Sequence, residues 1–354
     1  MKIIISERQQ KLLNESKSLE SAQNLIDDAI EVLKNECEEK WVDPLACDQW
    51  ETIEEVKVVS SNKGSAITRN QKTNFWLIDV DIYYSSLGHT PFDDFIYDGF
   101  LRRNLWIRIK ERFEKETLSS FENNKVDFKI HPSSNLSMQL PDDFDVMNSE
   151  PFIKGWIEIQ DLSSQQLGSA YAPKPNQKWL DACAASGGKS LQLLDMQSSI
   201  DLTVTDIRES ILTNLQLRFK RNHIRNYKSK VVDWNDTISA VSRSESEMYD
   251  AIIADVPCSG SGTWARTPEQ KLSITKEMIQ NFSELQFSIT NNLSAVLRKG
   301  GALYYSTCSV YKNENIDVVN RLVNNQSLEL VDQKVISGID SHADTMYLAK
   351  LIKN

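Results

Sequence analysis

Two cysteines in glycine- and serine-rich turns are the residues of this chain best equipped for chemistry. Cys258 lies in Asp255-Val256-Pro257-Cys258-Ser259-Gly260-Ser261-Gly262, and Cys308 in Tyr305-Ser306-Thr307-Cys308-Ser309. A third segment, Asp181-Ala182-Cys183-Ala184-Ala185-Ser186-Gly187-Gly188-Lys189-Ser190, reads as a tight turn between an apolar strand and a helix. A thiolate among hydroxyls is a strong nucleophile. A pyrimidine ring carbon becomes nucleophilic only after such a group has added to the neighbouring carbon. Thiol addition at carbon 6 would therefore open carbon 5 of a cytosine to methylation. Asp255, three residues before Cys258, is placed to stabilise charge on the ring nitrogen or exocyclic amine. A second cysteine can assist proton loss and release of the product.

Four chemical residues must be gathered by the elements that carry them. Trp156–Gln160, Lys178–Leu180, Leu202–Thr205, Ala251–Ala254 and Ala302–Tyr305 read as strands. Helical patterns begin at Ser190 and run over Thr275–Leu297, closed by Lys299-Gly300-Gly301. Alternating strands and helices imply a mainly parallel α/β sheet covered on both faces. Ligands of such sheets lie beyond the carboxyl ends of the strands, and Asp181, Asp206, Asp255 and Cys308 all fall at such ends.

The 183–189 turn matches neither the Walker phosphate loop nor the GxGxxG dinucleotide fingerprint. Its small residues let a ligand approach the backbone, and amides at a helix N-terminus can hold a carboxylate. S-adenosylmethionine, a nucleoside bearing a carboxylate, suits that arrangement. Asp206 is placed to accept from ribose hydroxyls, and Asp233, after Val231-Val232, to lie near the adenine.

These segments resemble the RNA (cytosine-5) methyltransferases of the bacterial Sun and nucleolar Nop type. DACAASGGKS resembles that family's DxCAAPGGKT, DVPCSGSG its DAPCSGxG, and YSTCS its final catalytic motif. Residues 155–165 resemble the entry into its catalytic domain, and 342–351 its last strand. The resemblance covers about 135–354. It implies a Rossmann-like sheet with S-adenosylmethionine held by Cys183, Ala184, Ala185, Ser186, Gly187, Gly188, Lys189, Asp206, Asp233 and Asp255. It also implies Cys308 as covalent nucleophile, Cys258 as the cysteine that helps release the product, and Asp255 facing the base. Lys271 is implied as an RNA contact. Ribosomal RNA is the first expected substrate and transfer RNA the second, with a catalytically weak RNA-binding or assembly factor as the alternative. Ser186 departs from the family's proline.

The remainder bounds these expectations. The chain has 354 residues, a net charge of −10, 40% hydrophobic and 25% charged residues. Five cysteines without CxxC spacing indicate neither a disulfide framework nor a metal site. No apolar run suggests a signal peptide or a membrane span, so a cytoplasmic protein is expected. Seven basic residues against one acidic between Arg208 and Lys230 form either a phosphate grip or a solvated helix face.

Residues 1–127 read as a smaller α+β region, and 128–354 as the catalytic domain. In the former, 7–40 and Asp93–Leu118 read as helices, and Val56–Val59, Phe75–Tyr84 and Val126–Ile130 as strands. This region carries no catalytic constellation, and a protein partner bound through it is expected. Phe75, Trp76, Tyr83 and Tyr84 are expected to pack in a small core, and Cys37, Cys47, His89 and His131 to be structural or solvated.

Overall fold

The computed structural model describes residues 2–5, 55–58, 67–69, 76–83, 102–236, 248–267, 270, 274–325 and 328–354. The chain divides into two compact units, Met1–Leu101 with Trp264–Lys276, and Arg102–Thr263 with Glu277–Asn354.

In the first unit, β1 (Lys2–Ile5), β2 (Glu55–Val58) and β3 (Ile67–Arg69) each pair antiparallel with β4 (Trp76–Tyr83). The strands expected at Val56 and Phe75 are present. Ile67–Arg69 forms a further strand between these two. The helix expected over 7–40, together with Cys37, Cys47 and His89, lies outside the described residues, as do the four aromatic side chains.

The second unit begins with an antiparallel sheet in the order β6 (Lys129–His131), β7 (Ser134–Leu140), β5 (Leu105–Ile109), β8 (Ile157–Ile159). Here the structure corrects the sequence reading: Leu105–Ile109, expected as helix, is a strand, and a helix, α1 (Glu114–Asn123), starts only afterwards. The alternation of a strand is present, with Ile107 and Ile109 facing Phe121, Met138 and Ile157. It is masked because the other face is buried too and carries Arg108 and Lys110. β5 lies on the N-terminal side of the expected 127/128 boundary yet pairs with β7 and β8, so it and α1 belong with the C-terminal unit. His131 packs edge-on against Trp106 with ring centroids 5.7 Å apart, a structural role.

The main sheet has seven strands. β9 (Lys178–Asp181), β10 (Asp201–Asp206), β11 (Lys228–Val231), β12 (Tyr249–Asp255) and β13 (Leu297–Thr307) run parallel in the order β11-β10-β9-β12-β13. The antiparallel strands β15 (Met346–Lys353) and β14 (Leu328–Ile336) complete it. Side chains alternate across the sheet. Leu180, Ile252, Leu303 and Tyr305 fill one core, and Trp179, Ile253 and Tyr304 the other. Burial on both faces explains why β9, β12 and β13 read as largely apolar runs.

Four helices matter for the site: α2 (Leu162–Gly168), α3 (Gly188–Met196), α4 (Glu209–Arg221) and α5 (Lys276–Val296). The expected stop after α5 takes another form. β13 follows at Leu297, and Gly300, at φ +73°, sits in a register irregularity of that strand. A further helix, α6 (Ile316–Asn325), and β14 were not anticipated.

A buried ion network joins the two sheets. Glu158 on β8 is 1% exposed and meets Arg218 at 2.7 Å and Arg221 at 2.6 Å, both from α4. Burial alone would raise the Glu158 pKa, but the two guanidinium groups hold it below the ordinary carboxylate value. On the same side, Arg108 of β5 pairs with Asp195 of α3 at 2.7 Å. Cations between Arg208 and Lys230 are thus engaged inside the chain: Arg218 and Arg221 with Glu158, Arg208 with Asp206, and Lys228 with Asp201.

Candidate active site

The chemistry-bearing residues converge at the carboxyl ends of four neighbouring strands. β10, β9, β12 and β13 lie side by side and end at Asp206, Asp181, Asp255 and Thr307. Cys308 follows directly.

The turn after β9 is held by backbone contacts to both neighbours. The Ala182 amide donates to Ile253 O at 2.9 Å and the Ala184 amide to Thr205 O at 2.8 Å. Gly187, at φ +81°, closes the turn into α3. A Cβ there would sit 2.8 Å from Phe219 and 2.9 Å from Leu215, so glycine is required by conformation and by packing. Ser186, where a proline was expected by resemblance, receives Arg218 on its hydroxyl at 3.2 Å and its carbonyl at 3.4 Å. This contact ties the turn to the ion network beneath it.

The acidic strand ends differ in environment. Asp206 accepts the Ala185 amide at 3.1 Å and receives Arg208 on both oxygens at 3.0 and 3.2 Å. Burial pushes its pKa up, but the Arg208 hydrogen bonds prevail and hold it below the ordinary value. Asp181 is 1% exposed, takes the Ser190 hydroxyl at 2.6 Å on one oxygen and leaves the other without a partner. Burial raises its pKa to about 7. Asp233 follows β11 and accepts the Asn235 amide at 2.8 Å. It is half-buried, one residue beyond Val232, whose amide donates to Asp206 O at 3.2 Å.

Lys189 reaches from the first turn of α3 to Asp255, with Nζ 2.5 Å from Oδ2, and the Ser306 hydroxyl donates to Oδ1 at 2.8 Å. Burial works against the charge on Lys189, but Asp255 more than offsets it, so the lysine pKa lies above its ordinary value. Asp255 therefore accepts on both oxygens.

Cys258 and Cys308 face each other with Sγ atoms 3.2 Å apart. The hydrogen bond to Cys308 and burial both push the Cys258 pKa well above the usual thiol value. Cys183 does not join this pair. Burial, with three nearby aspartates, raises its pKa far above a reactive thiol's, and it packs against the core that holds Leu180 and Ile252.

Sequence reasoning missed the residues beneath the cysteines. Glu314 is wholly buried and receives the Ser259 amide at 2.8 Å, the Ser259 and Ser309 hydroxyls at 2.5 Å each, and Gln286 Nε2 at 2.9 Å. In the sequence it sits in Lys312-Asn313-Glu314-Asn315, indistinguishable from a solvated turn. Gly262 joins the two cysteine segments: its amide donates to Cys308 O at 2.8 Å, and its carbonyl accepts from the Thr345 amide at 2.9 Å. Lys271 lies outside the described residues. Among the described residues no group of His, Cys, Asp and Glu is clustered to hold a metal ion, and no helix is long and apolar enough to cross a membrane.

The donor set fits a nucleoside bearing a carboxylate: a turn of small residues leading into the N-terminus of α3, beside a carboxylate at the next strand end whose pKa lies below its ordinary value. A model of the family described as 16S rRNA methyltransferase RsmB/F matches residues 169–352. The ribosomal RNA small subunit methyltransferase B of Vibrio vulnificus is 29% identical over 259 residues, covering 70% of this chain and 60% of the relative. The probable enzyme of that name from Bacillus subtilis is 31% identical over 173 residues, 49% of this chain and 38% of the relative. The chain thus spans about 60% of the length of the first such relatives. A methyltransferase homologue from Pyrococcus horikoshii superposes with a TM-score of 0.64 at 22% identity, over 74% of this chain and 90% of that one. NSun6 from the same organism, solved with SFG, superposes with a TM-score of 0.66 at 15% identity, over 74% and 94%. Both likenesses concern the fold.

Proposed function

The chain belongs to the 16S rRNA methyltransferase RsmB/F family, and from that premise we propose that it methylates carbon 5 of a cytosine in ribosomal RNA through a covalent cysteine adduct. The observation that carries this reading is the contact of Cys258 with Cys308 beside the Lys189–Asp255 pair, at the sheet end where the cofactor turn also lies. Relatives named for the small-subunit ribosomal RNA favour that RNA over transfer RNA.

The 183–189 turn, Asp206 and Asp233 would hold S-adenosylmethionine, which would supply an electrophilic methyl group. The target base must be unstacked to enter the cleft. Cys308, as thiolate, adds to carbon 6, and electron density moves through the ring towards the nitrogen and the exocyclic amine. Asp255 accepts a hydrogen bond from that amine, a donor that uracil lacks. Lys189 holds Asp255 in place and sets a positive charge beside the negative charge that develops. Once carbon 5 carries the methyl group, its proton must be removed so that the Cys308–carbon 6 bond can break. Cys258, 3.2 Å from Cys308, is in position to assist that elimination. A binding factor without catalysis would need none of these four groups brought together.

RNA carrying 5-fluorocytidine tests this reading, because fluorine on carbon 5 blocks the elimination. The native protein is expected to form a denaturation-resistant complex with such RNA in the presence of cofactor, and Cys308→Ala to form none. An adduct that survives in Cys308→Ala assigns the attack elsewhere.

A further inference from the structure

Cys258 and Cys308 sit on separate turns, so their sulfur contact of 3.2 Å depends on how those turns are held together. Before Cys258, the Val256 amide donates to Ser306 O at 3.1 Å; after it, the Gly262 amide donates to Cys308 O at 2.8 Å. Between these two backbone ties lies Ser259, which reaches the other turn through Glu314. The Ser259 amide donates to Oε1 at 2.8 Å and its hydroxyl to Oε2 at 2.5 Å. The hydroxyl of Ser309, the residue after Cys308, donates to the same Oε2 at 2.5 Å. One side chain thus takes a bond from the residue that follows each cysteine. The two hydroxyl oxygens also lie 3.2 Å apart. Each hydroxyl has a single proton, however, and the shorter bond to Glu314 takes it.

Glu314 is itself fixed. Gln286 Nε2 of α5 donates to Oε1 and to Pro257 O, at 2.9 Å each, and so grips the Cys258 turn from its other side. The Tyr305 hydroxyl of β13 donates to Glu314 O. The neighbouring Asn315 donates to Ser309 O at 2.8 Å and accepts from the Thr307 hydroxyl at 2.6 Å, which secures the residues flanking Cys308. Glu314 is wholly buried, so no water replaces a lost partner at low cost.

We propose that Glu314 is a positioning residue: by accepting from the residue after each cysteine, it clamps the two turns at the separation from which Cys258 serves the adduct on Cys308. The inference rests on the two-cysteine reading above and adds what sets the spacing within it. Both oxygens are occupied, one by the Ser259 amide and Gln286, the other by two hydroxyls. Aspartate is a methylene shorter and cannot reach both turns from the same backbone. Glutamine has the full length. Its carbonyl replaces Oε1, and its amino group can donate to the two hydroxyls, which then act as acceptors.

Phenylarsine oxide measures the separation without RNA or cofactor, because its arsenic bonds to two thiols in contact with loss of water. Capture of the second thiol is intramolecular and follows its effective concentration. In the full chain, the tight binding lost in Cys258→Ala is that of the pair. In Glu314→Ala and Glu314→Asp this affinity is expected to fall at least about tenfold, and in Glu314→Gln to stay within about threefold of the native value. Native affinity in a folded Glu314→Ala protein overturns the proposal, and so does a loss in Glu314→Gln as large as in Glu314→Ala. Should Glu314→Ala not fold, Ser309→Ala removes only the Cys308-side bond and is expected to weaken binding by a smaller factor. No weakening overturns the proposal. In the reaction, Glu314→Asp is expected to lower kcat about 100-fold at unchanged cofactor affinity; an unchanged kcat shows that the spacing does not matter and defeats the inference. Methyl transfer by Cys308→Ala separates the two ideas: retained activity defeats the nucleophile assignment and leaves the arsenical result standing as measured.

Discussion

Lys189 and Asp255, 66 residues apart in the chain, meet at 2.5 Å where the first turn of α3 passes the carboxyl end of β12. The pair links the cofactor turn to the cysteine segment, since Lys189 ends the first and Asp255 begins the second. Ser306, from the Cys308 strand, holds the second Asp255 oxygen at 2.8 Å. Three sequence segments thus share one carboxylate.

Replacing Lys189 by methionine removes the cation and leaves Asp255 with Ser306 alone. The expected outcome is a fall in kcat of about 100- to 1,000-fold, with cofactor affinity changed far less, because the lost interaction acts on charge that develops during reaction. Steady-state kinetics with saturating cofactor, alongside calorimetric cofactor titration, measure both. A loss confined to cofactor binding would move Lys189 out of the chemistry.

The two cysteines are expected to fail differently. Cys308→Ala should bind cofactor and transfer no methyl groups. Cys258→Ala should complete the transfer and stall at elimination, leaving RNA attached to protein after denaturation. Gel analysis under denaturing conditions distinguishes the two. RNA trapped by Cys308→Ala instead would exchange their roles.

Asp181 makes stability depend on pH in an unusual direction for an aspartate. Its folded pKa of about 7 lies above the ordinary 3.8, so the folded state holds the proton more tightly than the unfolded chain. The contribution is full below about pH 4 and is lost as pH rises towards 7, a change of roughly 4 kcal/mol. Asp181→Asn keeps an acceptor for Ser190 and abolishes this slope. Chemical denaturation at about pH 5 and about pH 8 should therefore show the variant gaining on the native protein at the higher value. An equal difference at both values would show that Asp181 does not hold the proton.

Gly262 admits no side chain. A Cβ there would lie 1.9 Å from Thr345 O, a backbone atom that cannot swing aside. Gly262→Ala is expected to cost at least about 2 kcal/mol and to shift Cys308 through the Gly262–Cys308 hydrogen bond. Thermal unfolding and methyl transfer should fall together. A stable variant with normal turnover would mean that the two segments move freely.

The central strands β9, β12 and β13 were legible because they are largely apolar and end at Asp181, at Asp255 and just before Cys308. Asp181, Asp206, Asp255 and Cys308 fall at adjacent strand ends as expected. β5 was not legible, because Arg108 and Lys110 occupy its second face and their burial depends on Asp195, which lies 87 positions beyond Arg108 in the chain. Glu314 was hidden for a related reason: nothing local distinguishes a buried glutamate from a solvated one until Ser259 and Gln286 arrive from elsewhere. The basic run after Arg208 read equally as phosphate grip or solvated face. Much of it is neither, since Arg218 and Arg221 close over Glu158.

Transfer of labelled methyl from S-adenosylmethionine to ribosomal RNA, followed by nucleoside analysis, tests the proposed activity most directly. Label recovered in 5-methylcytidine, and lost in Cys308→Ala, is the expected result. Label in another nucleoside, or label in 5-methylcytidine that persists in Cys308→Ala, would contradict it.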